Sequence, residues 1–175
     1  AGALHEVEAV PGLACVPATI DLAGAEIELV SLVARESRLQ RALAVLLRET
    51  EQQDLRFDYV FIDCPPSLGL LTINAFVAAS EVLIPIQCEF YALEGLSALL
   101  ETVKQVRNTV NPQLNIEGLL RTMYDPRNRL ATDVSAELEK LFRDKVYKTL
   151  IPRNVRLAEA PSFGLPALLH DRSSR

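Results

Sequence analysis

Three features of this 175-residue sequence predict an α/β fold with a doubly wound, mostly parallel sheet and helices on both faces. Short apolar runs alternate with longer segments of helical period, as in consecutive βα units. The run Tyr59 to Ile62 has no polar alternation, which is typical of a strand covered on both faces. Several runs end in prolines and polar residues, as strands do at the carboxyl edge where such sheets bind ligands.

The strands and helices are predicted in order along the chain. Apolar, often β-branched runs predict strands at 13–17, 59–63, 81–86, 116–123 and 146–152. Apolar residues that recur every three to four positions predict helices at 25–34, 39–53, 70–79, 92–110 and 134–145. Because strands and helices alternate, we expect right-handed crossovers that leave neighbouring strands parallel.

Length and composition predict one cytosolic domain over residues 1–175, since 49% apolar residues can supply one sizeable core. No apolar run approaches the ~20 residues that a membrane span needs, and no signal peptide is evident. Cys15, Cys64 and Cys88 lie in or beside apolar runs, so we expect reduced, buried thiols. Two histidines offer little for a zinc or non-haem iron site.

Charge is unevenly distributed along the chain. The net charge is −5, but residues 121–175 carry +4 and residues 1–120 carry −9. A basic last third in an acidic chain points to an anionic partner there. The alternative is a solvated surface of mixed charge that binds nothing in particular.

Three predicted strands end in comparable polar residues and prolines. They are Asp63 with Pro65 and Pro66, Pro85 with Gln87, and Pro152 with Arg153 and Asn154. Because the carboxyl ends of parallel strands meet at one edge, these residues predict a ligand crevice. For Asp63 the prolines fix φ in the following turn and would hold the carboxylate in place. Alternatively, Asp63 only caps a turn or the helix that starts near Ser67.

The sequence resembles the ParA/Soj chromosome-partitioning ATPases, deviant P-loop proteins related to MinD. The segments that carry the resemblance are 16–30, 57–75, 82–103, 122–128 and 151–166. They cover nearly the whole chain in the expected order, and the turn DCPPSLG at 63–69 is typical of the ParA branch. The resemblance implies a P-loop NTPase-like fold and the cofactors ATP and Mg²⁺.

The resemblance also implies roles for particular residues. Asp63 would be the Walker B acid, a catalytic residue that holds Mg²⁺, usually through a water. The residues that would border the adenine ring are Thr122, Met123, Pro152, Arg153 and Asn154. Without the resemblance, the structural explanation is the better one for all five: Pro152, Arg153 and Asn154 only end a strand, and Thr122 and Met123 only pack.

In the basic third, Arg127 and Arg156 resemble the arginines that contact DNA in this family when two ATP-bound subunits pair. With Arg129 and Arg153 they could form a phosphate-binding stripe across a homodimer. Such a stripe would bind the charged DNA backbone without distinguishing base sequences. Solvated surface arginines are the alternative. The other implied partner is a ParB/Spo0J-like protein, with no membrane, and the implied location is cytoplasmic and nucleoid-associated.

The sequence departs from the family in one important respect. It contains no G-x-x-x-x-G-K-[ST], since none of its seven glycines is followed by lysine. We therefore expect a fragment that lacks the N-terminal phosphate loop and the C-terminal helix, and that does not hydrolyse ATP alone. Without the first strand, the run 59–63 should keep unpaired backbone groups and exposed apolar faces. Phe163 and His170 also replace residue types common in the family.

Three functions are compatible with these features. The first is part of an ATPase that dimerises on ATP, binds nonspecific DNA and drives chromosome or plasmid segregation. The second is a non-catalytic interaction or DNA-binding module. The third is another MinD-like or ParA-like positioning ATPase with a different cargo.

Overall fold

A computed structural model describes residues 3–171 of the chain. The Cα packing separates two compact units. The first comprises the chain up to Glu81 and the segment Leu99–Asn115, and the second comprises Val82–Ala98 and the chain from Ile116 onward. Residues 1, 2 and 172–175 of the predicted single domain lie outside the described range. That a single domain covers residues 1–175 stays a prediction.

The described residues form α-helices and β-strands joined by short loops and 3₁₀ turns. The strands are β1 (His5–Glu6), β2 (Ala14–Cys15), β3 (Glu81–Gln87), β4 (Asn115–Tyr124) and β5 (Val146–Pro152). The α-helices are α1 (Leu22–Val30), α2 (Arg38–Gln52), α3 (Leu70–Ala78), α4 (Ala92–Thr109), α5 (Arg129–Phe142), α6 (Val155–Glu159) and α7 (Ala167–His170). The 3₁₀ turns are Arg35–Ser37, Arg143–Lys145 and Ala160–Phe163.

In the first unit, α3 packs on α2 through side chains that hydrogen-bond to backbone groups. The amide nitrogen of Asn74 donates to the carbonyl of Arg35 at 2.9 Å, and its amide oxygen accepts from the N–H of Leu39 at 3.2 Å. Glu26 of α1 accepts from the N–H of Leu70, at the start of α3, at 2.7 Å. These bonds satisfy groups at helix ends that would otherwise lack partners.

In the second unit, the sheet has the strand order β3-β4-β5, and β4 pairs with β5 in parallel. Helix α5 supplies the facing apolar surface, with Ala131, Val134 and Leu138 buried at the spacing of one helical face. Leu119 of β4 and Leu138 are completely buried. This packing fixes the carboxyl ends of β4 and β5, where most of the candidate residues lie.

Most of the predicted elements are confirmed, and so is the α/β fold class with its mostly parallel sheet. Strands are present at the three later predicted positions, and α2, α3 and α4 match their predicted ranges within one residue at each end. Helix α5 begins at Arg129, five residues before the predicted start. The reason is a cap: the side-chain oxygen of Asn128 accepts from the N–H of Leu130 at 3.0 Å.

The prediction of a strand at 59–63 is wrong for the described structure. The segment is irregular, and Tyr59 and Phe61 are 79% and 83% exposed. A strand needs neighbours that complete its backbone hydrogen bonds, and no strand within residues 3–171 pairs with this run. The run at 13–17 likewise contributes only the two residues of β2, which pair antiparallel with β1.

Two of the three cysteines differ from the prediction of buried thiols. Cys88 is buried, as expected, but Cys15 and Cys64 are exposed. Cys64 directly follows the run 59–63, so the missing strand there explains its exposure. Cys15 lies in the two-residue strand β2, whose only partner within the described residues is the equally short β1. Within the described range, no helix combines the length and the apolar character that crossing a membrane requires.

Candidate functional site

The carboxyl ends of β4 and β5 meet at one edge of the sheet. Tyr124 lies opposite Pro152, and the N–H of Arg153 donates to the carbonyl of Tyr124 at 3.2 Å. The five residues predicted to border a nucleotide base therefore belong to two adjoining strand ends. They are Thr122, Met123, Pro152, Arg153 and Asn154.

Thr122 and Met123 lie in a β-bulge. Between Arg121 and Tyr124 the chain advances three residues, while the paired positions on β5, Leu150 and Pro152, differ by two. Met123 has a φ of 49°, in the left-handed region that few residues with side chains adopt, and it is 45% exposed. Bulges and such backbone conformations are concentrated next to functional sites, where they redirect a side chain. The bulge presents Met123 to solvent at the edge.

Asn154 has a structural role in addition to the predicted one. Its side-chain oxygen accepts from the N–H of Arg156 at 2.8 Å and thereby caps α6. The cap fixes the start of the short helix that carries Arg156. The predicted contact of Asn154 with a nucleotide stays a prediction.

Arg127 is held by a carboxylate two residues away. Its Nε and Nη2 donate to the two carboxylate oxygens of Asp125 at 2.9 and 2.8 Å, and its backbone N–H donates to the same side chain at 3.0 Å. These bonds from Arg127 lower the pKa of Asp125 to about 2, with a further contribution from the charge of Arg153. Asp125 therefore stays ionised throughout the physiological pH range.

The other candidate arginines also lie beside carboxylates. Arg156 donates to Glu159 at 3.1 Å and lies 3.8 Å from a carboxylate oxygen of Asp171. Arg129 lies 3.9 Å from Asp133. The side chains of Arg127, Arg129 and Arg156 are nevertheless 88%, 95% and 60% exposed. All three guanidinium groups are therefore accessible, and each is partly neutralised within the chain.

Asp63 lies in the first unit, on the irregular segment that precedes α3, and its side chain is exposed. The neighbouring Cys64 has a raised pKa, caused first by partial burial of the thiol and second by the negative charge of Asp63. An exposed carboxylate of this kind can bind a hard cation that keeps several waters. Within the described residues there is no group of three or more His, Cys, Asp or Glu side chains that could enclose a metal.

Sequence reasoning missed Arg121, a buried cation on β4 directly before the bulge. Its guanidinium donates to the hydroxyl of Ser135 at 2.7 Å and to the carbonyl of Tyr147 at 2.7 Å, and it pairs with Glu139. Arg121 thus joins β4, α5 and β5 directly before the carboxyl ends of β4 and β5, where the candidate site lies. The available signal was a single arginine inside an apolar strand run.

The mostly parallel sheet with helices is an α/β fold, and the solved structures that are similar to it place it in the P-loop nucleoside triphosphatase class. More specifically, the chain belongs to the AAA domain family, whose model matches residues 3–116. The resemblance to the ParA/Soj chromosome-partitioning ATPases is likewise confirmed by relatives of high identity.

Two curated relatives illustrate that similarity. The chain is 59% identical to the sporulation initiation inhibitor protein Soj of Bacillus subtilis over 166 residues, which are 95% of this chain and 63% of that protein. It is 52% identical to the chromosome partitioning protein ParA of Myxococcus xanthus over 163 residues, which are 93% of this chain and 55% of that protein. The chain therefore spans about three fifths of the length of these relatives.

A solved structure agrees with the fold assignment. Cobyrinic acid a,c-diamide synthase from Mycobacterium smegmatis, crystallised with ADP and magnesium, superposes with a TM-score of 0.75 at 36% identity. The similarity covers 94% of this chain and 69% of that one.

Proposed function

We propose that this chain is part of a ParA/Soj-type ATPase that binds Mg²⁺-ATP, pairs with a second copy, binds DNA without sequence preference and drives chromosome segregation. The observation that carries the proposal is the 59% identity to Soj of Bacillus subtilis across 95% of the chain. Since the chain spans 63% of that relative, the activity is proposed for a longer protein that contains it. Several of the relatives at 51 to 59% identity bear chromosome-partitioning or Soj names, which favours a chromosome over a plasmid as the cargo.

The edge formed by β4 and β5 is the proposed border of the nucleotide base. Met123 and Pro152 offer apolar surface there, and Thr122 offers a hydroxyl, a combination typical of sites for small ligands. Asn154, which caps α6, completes the proposed set. The bulge supports this assignment because it exposes Met123 at the strand end. The ADP bound by the synthase of Mycobacterium smegmatis, at 36% identity, adds support.

Asp63 is the proposed Mg²⁺ ligand. Its carboxylate is exposed, and Mg²⁺ in nucleotide sites is usually held by one or two carboxylates together with waters and phosphate oxygens. When bound, the cation would neutralise charge on the β- and γ-phosphates. In the longer protein, a strand from another part of the chain would pair with the run 59–63 and hold Asp63 at its carboxyl end. The exposed aromatic side chains of that run support this pairing.

Arg127 and Arg156 are the proposed DNA contacts. They follow the carboxyl ends of two neighbouring strands, both are exposed, and both belong to the basic last third of the chain. Arginine binds phosphate through several parallel N–H groups, which suits recognition of the DNA backbone. A ParB/Spo0J-like partner and a cytoplasmic, nucleoid-associated location follow from the same family role.

The substitution Arg156→Ala in the full-length protein with Mg²⁺-ATP should weaken binding to DNA duplexes of any sequence about equally. Each lost phosphate contact should flatten the plot of log affinity against log salt by ~0.9, or about twice that value if both subunits of a dimer contribute. ATP turnover without DNA should be nearly unaffected. The measurement is a salt titration of duplex binding by fluorescence anisotropy.

Lys140→Ala is the matched control for this titration. It removes one exposed positive charge near the end of α5. Because α5 leads into the start of β5, Lys140 lies near the amino-terminal ends of the strands, whereas Arg156 follows their carboxyl ends. We expect Lys140→Ala to leave the salt slope unchanged. An unchanged salt slope and an unchanged affinity for Arg156→Ala would show that Arg156 is a solvated surface residue that does not contact DNA. Loss of ATP binding by Arg156→Ala would instead show that Arg156 contacts the nucleotide.

A further inference from the structure

Asp125 occupies the Nε/Nη2 edge of Arg127, one of the two edges through which a guanidinium forms paired bonds to phosphate. Both carboxylate oxygens accept from the guanidinium, at 2.9 and 2.8 Å, which is the two-oxygen arrangement that a phosphodiester also offers to arginine. The side chain of Arg127 is 88% exposed and that of Asp125 is 30% exposed. A phosphate can therefore reach the guanidinium from solvent, but it must displace the carboxylate to form the same paired bonds.

A second arginine of the stripe, Arg153, follows the neighbouring strand end. The charge of Arg153 makes a further, smaller contribution to the lowered pKa of Asp125. The N–H of Arg153 donates to the carbonyl of Tyr124, the residue that precedes Asp125, at 3.2 Å. The carboxylate of Asp125 thus holds Arg127 by direct hydrogen bonds, and the backbone of Arg153 is bonded to the residue that precedes Asp125.

We propose that Asp125 is a specificity-determining residue, an internal counter-ion that occupies the Nε/Nη2 edge of Arg127 until DNA displaces it. The inference rests on the proposed DNA-binding role of Arg127. An exposed ion pair is worth little in free energy, so a DNA backbone with several phosphates in reach displaces the carboxylate readily. A single isolated phosphate, which lacks those additional contacts, competes poorly. Asp125 therefore favours polyanions over free phosphate and single nucleotides at this arginine.

The opposite role makes a different prediction. If Asp125 instead positioned Arg127 for phosphate, its removal would weaken DNA binding. The substitution Asp125→Asn separates the two roles, since asparagine keeps an oxygen that can accept from the N–H of Arg127 at the start of the turn. It loses the negative charge and the second acceptor. The turn is therefore preserved while the competing group is removed.

The test is duplex binding by the full-length protein with Mg²⁺ and a non-hydrolysable ATP analogue. Five proteins are compared: wild type, Asp125→Asn, Arg127→Ala, the double variant, and Asp144→Asn as a control for net charge. Asp144 precedes β5, whereas Asp125 follows β4, so the control removes the same charge at the opposite edge of this sheet. Each protein is titrated with a duplex of random sequence over a range of salt, and with inorganic phosphate as a competitor.

Asp125→Asn should tighten duplex binding by about threefold to fivefold relative to Asp144→Asn, the range given by the upper end of an exposed ion pair. The salt slope should stay that of wild type, because the number of phosphate contacts is unchanged. Inorganic phosphate should inhibit Asp125→Asn at lower concentration than it inhibits wild type. Arg127→Ala should flatten the slope, and the gain from Asp125→Asn should vanish in the double variant.

Weaker binding by Asp125→Asn would overturn the inference and make Asp125 a positioning residue. A gain equal to that of Asp144→Asn, or a gain retained in the double variant, would also overturn it, as a general charge effect. In both cases the proposed function would stand, provided that wild type binds and Arg127→Ala weakens binding. Failure of wild type to bind DNA, or an unchanged affinity for Arg127→Ala, would instead contradict the proposed function and the inference together.

Discussion

Asp63→Ala in the full-length protein should reduce Mg²⁺-dependent ATP turnover by roughly 10²-fold or more. The carboxylate is the proposed protein ligand of the cation, and the cation neutralises the charge that develops on the transferred phosphoryl group. No other described residue has been assigned this role. Because Asp63 is proposed to end its strand and to face the cation and not the apolar core, its truncation should leave the fold largely intact.

The measurement is phosphate release from Mg²⁺-ATP, with circular dichroism as the check on folding. Asp58→Ala is the matched control, since it removes an exposed acid from the same irregular segment five residues earlier. The control should retain turnover close to wild type. ATP turnover by Asp63→Ala as high as that of Asp58→Ala would exclude Asp63 as the catalytic acid. Unfolding of Asp63→Ala alone would show that the acid is a structural cap.

The second large effect concerns stability. Arg121→Ala should lower the free energy of unfolding by about 2 to 4 kcal/mol, as expected when one partner of a buried charged network is removed. The side chain of Arg121 is only 5% exposed, and truncation leaves the carbonyl of Tyr147 and the hydroxyl of Ser135 without this donor. It also leaves a cavity beside β4. Urea denaturation of the full-length protein measures the change.

Arg121→Met is the informative comparison. Methionine refills much of the volume with an apolar chain, and such replacements of buried ion pairs are often close to neutral. The Nε of Arg121 has no hydrogen-bond partner among the described residues, so methionine also removes an unsatisfied buried group. We expect Arg121→Met to recover most of the loss. Equal destabilisation by both variants would show that the charged network, and not the volume, determines the stability.

The later strands and the long helices could be predicted from sequence because each apolar pattern has, in the structure, the packing partners that the pattern requires. β3, β4 and β5 are apolar runs that find partners in one sheet, and α2, α3 and α4 have a clear helical period. The run at 59–63 has an equally strong strand pattern, but it adopts no strand because none within the described residues pairs with it. A strand pattern shows that a segment would fit in a sheet, but the segment forms a strand only if a neighbouring strand is present to pair with it.

The candidate site was predictable in position and not in detail. Prolines and polar residues after apolar runs indicated the edge where Met123 and Pro152 meet. The bulge depends on the register between β4 and β5, which is a long-range property with no local sequence signal. The pairing of Asp125 with Arg127 has a possible signal in their spacing of two residues, but the direction of a loop side chain depends on the turn.

The two residues that depart from the family pattern are in contact with each other. Phe163 and His170 stack with ring centroids 4.6 Å apart and an interplanar angle of 28°. One residue lies in the 3₁₀ turn Ala160–Phe163 and the other ends α7, so the pair joins two elements that were not predicted. The sequence displayed both unusual residues, but only the structure shows that they contact each other.

The most direct test of the proposed function is the nucleotide dependence of DNA binding by the full-length protein. Affinity for a duplex of random sequence is measured with Mg²⁺-ATP, with Mg²⁺-ADP and without nucleotide, at one fixed salt concentration. The proposal predicts strong binding with ATP, weak binding in the other two states, and loss of the ATP effect in Asp63→Ala. Equal binding in all three states would contradict it and support a non-catalytic DNA-binding module. No binding in any state would contradict it as well, and would support a positioning ATPase with a different cargo.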